Sequence, residues 1–210
     1  MADFNNKTII DYINERIDSL IYDIDDMMEI EVEPTAEDML YESDEQGLIY
    51  FSGEALSKML SLVMLCPKEV GWHGCGKKLG KGEYIIEDIF LYPQKTSAAH
   101  IDCDDEEYGK WQIDAIVSQD PRITNTHFHG HSHVNMAPIP SSTDKQFQND
   151  IIEMLPPDSW YIFLIINKSM KMFTKIVDKE DNLIYINNFK IALKDGDLHA
   201  VIDEYQKFVR

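Results

Sequence analysis

Residues His127–Asp144 read HFHGHSHVNMAPIPSSTD, and the rest of the chain is organised around them. Inside the stretch, His131 and His133 are two residues apart; Ser141 follows after seven more residues and Asp144 three positions later. In an extended strand, side chains two apart share a face, so the two imidazoles can converge on one point. Pro140-Ser141-Ser142 reads as the start of a helix, from which Asp144 can turn its carboxylate back to that point. Two imidazoles and one carboxylate leave a fourth tetrahedral position open, the ligand set of a catalytic zinc rather than a structural one. Either histidine alone would read as an ordinary strand residue. Ser141-x-x-Asp144 also reads as a capping box, which is compatible with ligation because a helix start would hold Asp144 in place.

Upstream, Glu69-Val-Gly-Trp-His-Gly-Cys-Gly76 is an expected strand that follows an expected helix and precedes a second strand. Together these segments resemble the JAMM (MPN+) metalloprotease family, whose signature is His-x-His-x7-Ser-x2-Asp with a glutamate on an earlier strand. The resemblance runs from about Leu48 to Asn187. It implies one zinc ion per chain, held by His131, His133 and Asp144. It further implies Glu69 as the general base and Ser141 as the hydrogen-bond donor to the oxyanion. The reaction it implies is hydrolysis of a peptide or isopeptide bond, including one at the C-terminus of a ubiquitin-like protein. The fold it implies is a mixed α/β sheet flanked by helices, the JAB/MPN architecture, which is similar to cytidine deaminases.

Three departures from the family pattern alter the walls of the cleft without removing a ligand. Trp72 stands where a glycine is usual, Val134 where proline is common after the second ligand, and His129 where tryptophan is often found. The zinc-binding insertion of some eukaryotic ubiquitin-chain enzymes has no counterpart, which implies the prokaryotic or phage type of member. Two rivals follow from the same resemblance. One is a non-catalytic scaffold, although such members usually lack ligands that are present here. The other is a DNA-repair-associated branch, which typically carries Asn where Ser132 stands.

His127 and His129 share strand parity with the expected ligands. Counting forward from them reaches Ala137 and Ile139 where serine is required, so they are assigned to the cleft wall. His73, Cys75, His100 and Cys103 match no usual zinc spacing and are read as core or cleft residues.

The chain has 210 residues and a net charge of −19, which argues against nucleic acid or an anionic membrane as partner. The charge is concentrated at one end: residues 1–46 carry fifteen acidic side chains against Lys7 and Arg16. We therefore expect an acidic N-terminal helical extension over 1–46 and a metalloprotease domain over 47–210. Ile10, Ile13, Ile17, Leu20, Ile24 and Met27 recur at helical steps in the extension. That helix packs on the domain in the simpler reading and docks a partner in the sharper one. The polar start of the chain shows no signal sequence, and the apolar run Trp160–Ile166 is too short to cross a bilayer. Three cysteines without a CxxC point to a reducing, cytoplasmic setting.

Other expected elements are a strand at Leu48–Phe51 and a helix capped by Ser52 and running to Leu65. Strands at Val70–Lys77 and Tyr84–Tyr92 follow, then a loop over Thr96–Glu107. A helix at Tyr108–Val117 is expected, with Ile113, Ile116 and Val117 on one face. A helix bearing Phe147, Ile151 and Leu155 precedes the strand Tyr161–Ile166 and a hairpin over 170–186. A closing helix carries Leu198, Val201, Ile202, Tyr205 and Phe208.

Overall fold

Trp160–Ile166 is apolar at seven consecutive positions, a pattern that needs cover on both faces of a sheet. In the computed structural model all seven are buried. The structure describes residues 36–37, 39–96, 101–103 and 105–194, without the side chains of 101–103, 105, 123 and 124. The expected helices over 10–27 and 198–208 lie outside the described residues.

In chain order the first elements are β1 (Tyr41–Glu42), β2 (Gly47–Phe51), α1 (Gly53–Leu65), β3 (Gly71–Gly80) and β4 (Glu83–Phe90). Then come β5 (Gln94–Thr96), β6 (Ile101–Cys103), α2 (Asp105–Val117), the single turn α3 (Pro121–Thr124) and β7 (Thr126–Ser132). The last are α4 (Ser142–Met154), β8 (Trp160–Ile166), β9 (Met172–Asp178), β10 (Leu183–Ile186) and β11 (Phe189–Leu193). Nine strands form one mixed sheet in the order β1-β10-β9-β8-β7-β3-β4-β2-β11, while β5 and β6 pair separately. The fold is α/β, as expected.

The sheet curls on itself. A Cβ on Gly47 of β2 would lie 2.8 Å from Ile176 of β9, so only glycine lets these distant strands approach. Lys78 of β3 also reaches Asp178 at the end of β9, at 2.9 Å, and the Tyr84 hydroxyl of β4 donates to the same carboxylate. Inside the curl, Phe51, Met59, Trp72, Tyr84, Phe128, Leu164 and Tyr185 belong to one buried cluster under α1. On the other face, Ile152, Tyr161, Phe163, Val177 and Ile184 form a second cluster, against which Phe147, Ile151 and Leu155 of α4 pack. Each such aliphatic or aromatic side chain contributes about 1.5–3 kcal/mol when fully buried.

Helix α1 starts as its sequence predicts, with Ser52 Oγ accepting from Ala55 N at 3.0 Å. The same hydroxyl donates to Glu87 O at 2.7 Å, which ties the helix start to β4. The face shared by Ile113, Ile116 and Val117 is exposed, at 62%, 63% and 78%. The inward face of α2 is Tyr108, Trp111 and Ala115, spaced three and four apart, with Trp111 against Phe90 and Tyr108 against Tyr92. Large aromatic rings bury more area than the aliphatic residues they displaced. The stretch expected as a loop from Thr96 to Glu107 also contains β6, antiparallel to β5, and the first turn of α2.

Residues 36–46, grouped with the acidic extension on charge, belong by contact to the compact unit that begins at Ala36. Tyr41 and Glu42 pair in parallel with Leu183 and Ile184, and Lys175 Nζ lies 2.8 Å from Glu37 Oε2. Ala36 and Leu40 pack against the second cluster. Among the described residues no helix is long and apolar enough to cross a membrane.

Candidate metal centre

Strand β7 points His127, His129 and His131 to one face, and His133 continues the row just past its end. Each ring has a different neighbour. His127 stacks on Trp160 with centroids 4.6 Å apart, and its Nδ1 lies 3.0 Å from Trp160 O. His129 lies between His73, at 5.4 Å, and Phe147, at 4.7 Å. His131 and His133 have ring centroids 5.0 Å apart and turn Nε2 toward Asp144, at 3.4 and 3.8 Å. One potential ligand atom from each of His131, His133 and Asp144 lies within 4.8 Å of the others. No other such group occurs among the described residues.

Asp144 is delivered by the start of α4. Ser141 caps the helix: its Oγ accepts from Asp144 N at 3.2 Å, while Asp144 Oδ2 accepts from Ser141 N at 2.7 Å. The Ser141 hydroxyl also donates to Oδ2, at 2.7 Å. The capping and ligand readings of Ser-x-x-Asp therefore hold together, since the cap aims the carboxylate at the histidines. Metal-binding histidines keep their orientation through the ring nitrogen that does not bind the ion. His133 Nδ1 is held in this way, 2.8 Å from Ala137 O. The segment between is pinned by Lys168 N donating to Val134 O and Asn167 Nδ2 donating to Met136 O. Val134, where the family pattern has proline, sits at φ 43°. For a β-branched residue that left-handed conformation is strained and has to be held by its surroundings.

Glu69 arrives from the other side through sheet register. In the β3–β7 ladder His73 faces His129 and Gly71 faces His131. The pairing extends beyond the strands, with Ser132 N donating to Val70 O and Val70 N donating to Ser132 Oγ. Continued past Val70 and Ser132, the same antiparallel register leads Glu69 toward His133. Glu69 is 4% exposed, and its charge helps to raise the pKa of His133. Trp72, the departure from the expected glycine, is fully buried over Gly130, where a Cβ would collide with the indole. The bulky residue and the small one are thus cross-strand partners in the ladder.

Burial pushes the His131 pKa down to about 4, so this ring is a neutral imidazole, the form that binds metal. Asp144 beside it raises His133 despite partial burial. Burial alone would raise Asp144, but His133, His131 and Ser141 outweigh it and hold the carboxylate ionised. His73 is lowered to about 4 by burial and pairs with the Tyr108 hydroxyl at 3.2 Å. Burial raises the Cys75 thiol to about 11, making it a core group rather than a thiolate ligand. The side chains of His100 and Cys103 lie outside the described residues.

The structure thus brings together His131, His133, Asp144, Ser141 and Glu69, and leaves His127 apart, stacked on Trp160. It adds Gln148, one helical turn beyond Asp144 and 2% exposed, which sequence reasoning passed over. The four-residue spacing from Asp144 was its only signal.

No protein-family model matches the chain, and no curated protein matches it. Among solved structures, the solution structure of protein DSY2949 from Desulfitobacterium hafniense, a structural-genomics target, is similar to it. The identity is 19% and the TM-score 0.45, over 72% of this chain and 96% of that one.

Proposed function

We propose that the protein is a zinc-dependent peptidase or isopeptidase of the JAMM type. One observation carries this reading: the donor atoms of His131, His133 and Asp144 lie within 4.8 Å of one another, with Glu69 buried one register step away. The donor set fits zinc, being two imidazoles and a carboxylate partly withdrawn from solvent. The order of α1, the glutamate strand, the histidine strand and α4 supports a JAB/MPN architecture. The substrate is a peptide or protein, with the C-terminus of a ubiquitin-like protein as one form, and the setting is reducing and cytoplasmic.

His131, His133 and Asp144 would hold the ion. Bound there, zinc supplies Lewis acidity, which lowers the pKa of water from about 16 toward ~7 and polarises a carbonyl. Glu69 acts as the base that takes a proton from the attacking water and returns it to the leaving amine. Its buried carboxylate acts on His133 by its charge, which keeps it beside the ligands. Ser141 would donate to the oxyanion of the tetrahedral intermediate. In the structure its hydroxyl donates to Asp144 instead, so this role requires the hydroxyl to rotate as charge develops on the substrate. The test is a cleavage panel of ubiquitin-like C-terminal fusions, isopeptide conjugates and extended peptides, run with zinc-loaded protein and with a chelator. Cleavage that the chelator abolishes and zinc restores supports the reading; zinc-loaded protein that cleaves none of them counts against it.

A further inference from the structure

Between α4 and the β7–β8 pair lies a cavity of ≈ 10 Å³, lined by His129, His131, Asp144 and Gln148 among apolar side chains. It has room for one water molecule. Gln148 follows Asp144 by four residues, so both project from one face of α4 toward the histidine row. Glutamine at a buried helix position is unusual, because a buried amide oxygen left without a donor loses its hydration uncompensated. Here Gln148 Oε1 is fully buried and accepts no hydrogen bond within the protein.

His131 supplies a matching donor. Its Nε2 faces Asp144 at 3.4 Å, so Nδ1 lies on the opposite edge of the ring. Among the described residues no hydrogen bond engages that Nδ1, whereas His133 Nδ1 is held by Ala137 O. His129 Nδ1, on the same cavity, is also buried without a hydrogen bond. A single water can serve these two buried groups and His131 Nδ1 together, three being the usual number of partners for a buried one.

We propose that Gln148 is a positioning residue of the metal centre, taking up the Nδ1–H of His131 through one water in this cavity. The amide thereby keeps Nε2 unprotonated and aimed at the ion, as an outer hydrogen bond does for metal-binding histidines generally. The inference rests on the metal reading above.

It is tested by measuring zinc affinity by competition with a chromophoric chelator, on the full-length apo-protein of the parent, Gln148→Met and Gln148→Glu. Gln148→Met keeps length and helix preference but has no acceptor; Gln148→Glu keeps the acceptor. The expected result is zinc binding about 10–100-fold weaker in Gln148→Met. Its apo-protein should melt no lower than the parent, and Gln148→Glu should recover parental affinity or better. Gln148→Met binding zinc within twofold of the parent would overturn the proposal. So would Gln148→Glu binding as weakly as Gln148→Met, or weaker binding by Gln148→Met that is explained by a lower apo melting temperature. A parent that binds no zinc would instead remove the metal reading itself, so the two failures are told apart.

Discussion

Gly71 of β3 faces His131 of β7 across an antiparallel ladder, and that pairing decides where Glu69 stands. Moved by one residue, the register would send the Glu69 side chain to the opposite face of the sheet, away from the ligands. Gly71 is also gripped on its other side, where the Gln94 amide accepts from its N and donates to its O, both at 2.8 Å. Backbone pairing thus brings Glu69 to the same end of the ladder as His131 and His133.

Glu69→Gln keeps the shape and removes the base. Zinc content should survive, and cleavage of whichever panel substrate works should fall about 10²–10⁴-fold, the usual size of general acid–base catalysis. Unchanged cleavage by this variant would assign the proton transfer to another residue.

Ser141→Ala should act in two ways that can be measured separately. Loss of the cap costs about 1 kcal/mol, which corresponds to about 2–4 °C in Tm for a domain of this size. Loss of an oxyanion donor should lower kcat about 10²–10³-fold with little change in KM. A lowered Tm with kcat unaltered would leave Ser141 as a cap alone.

Much of the site is legible in the sequence because its parts are local. His131-x-His133 needs only strand parity, and Ser141-x-x-Asp144 needs only a helix start. The nearness of Glu69 to His133 is different, since it depends on a register between distant strands; the resemblance pointed to Glu69 but not to that pairing. The inward face of α2 is not legible, because Ile113, Ile116 and Val117 share a helical stripe, as do Tyr108, Trp111 and Ala115, and periodicity alone does not rank the two. Strands β5 and β6, of three residues each, are too short to show a period. Gln148 looks like a solvated helix residue until α4 is packed against β7 and β8.

The boundary of the compact unit gives a further prediction. Removing residues 1–35 should leave a folded domain with a Tm close to that of the full chain. Removing 1–46 takes away β1, the Glu37 partner of Lys175, and the packing of Ala36 and Leu40, so its Tm should be clearly lower. Lys175 is only 8% exposed, and stranding its charge is the larger part of the expected loss. Equal melting of the two truncations would return the boundary to residue 46.

The most direct test of the metal centre is the zinc content of purified protein, measured by elemental analysis against protein concentration. The parent should carry close to one zinc per chain. His131→Ala and Asp144→Ala should each lose most of it, while His127→Ala, on the same strand face but stacked on Trp160, should keep it. Full zinc occupancy in His131→Ala, or a parent that takes up no zinc when supplied with it, would contradict the account.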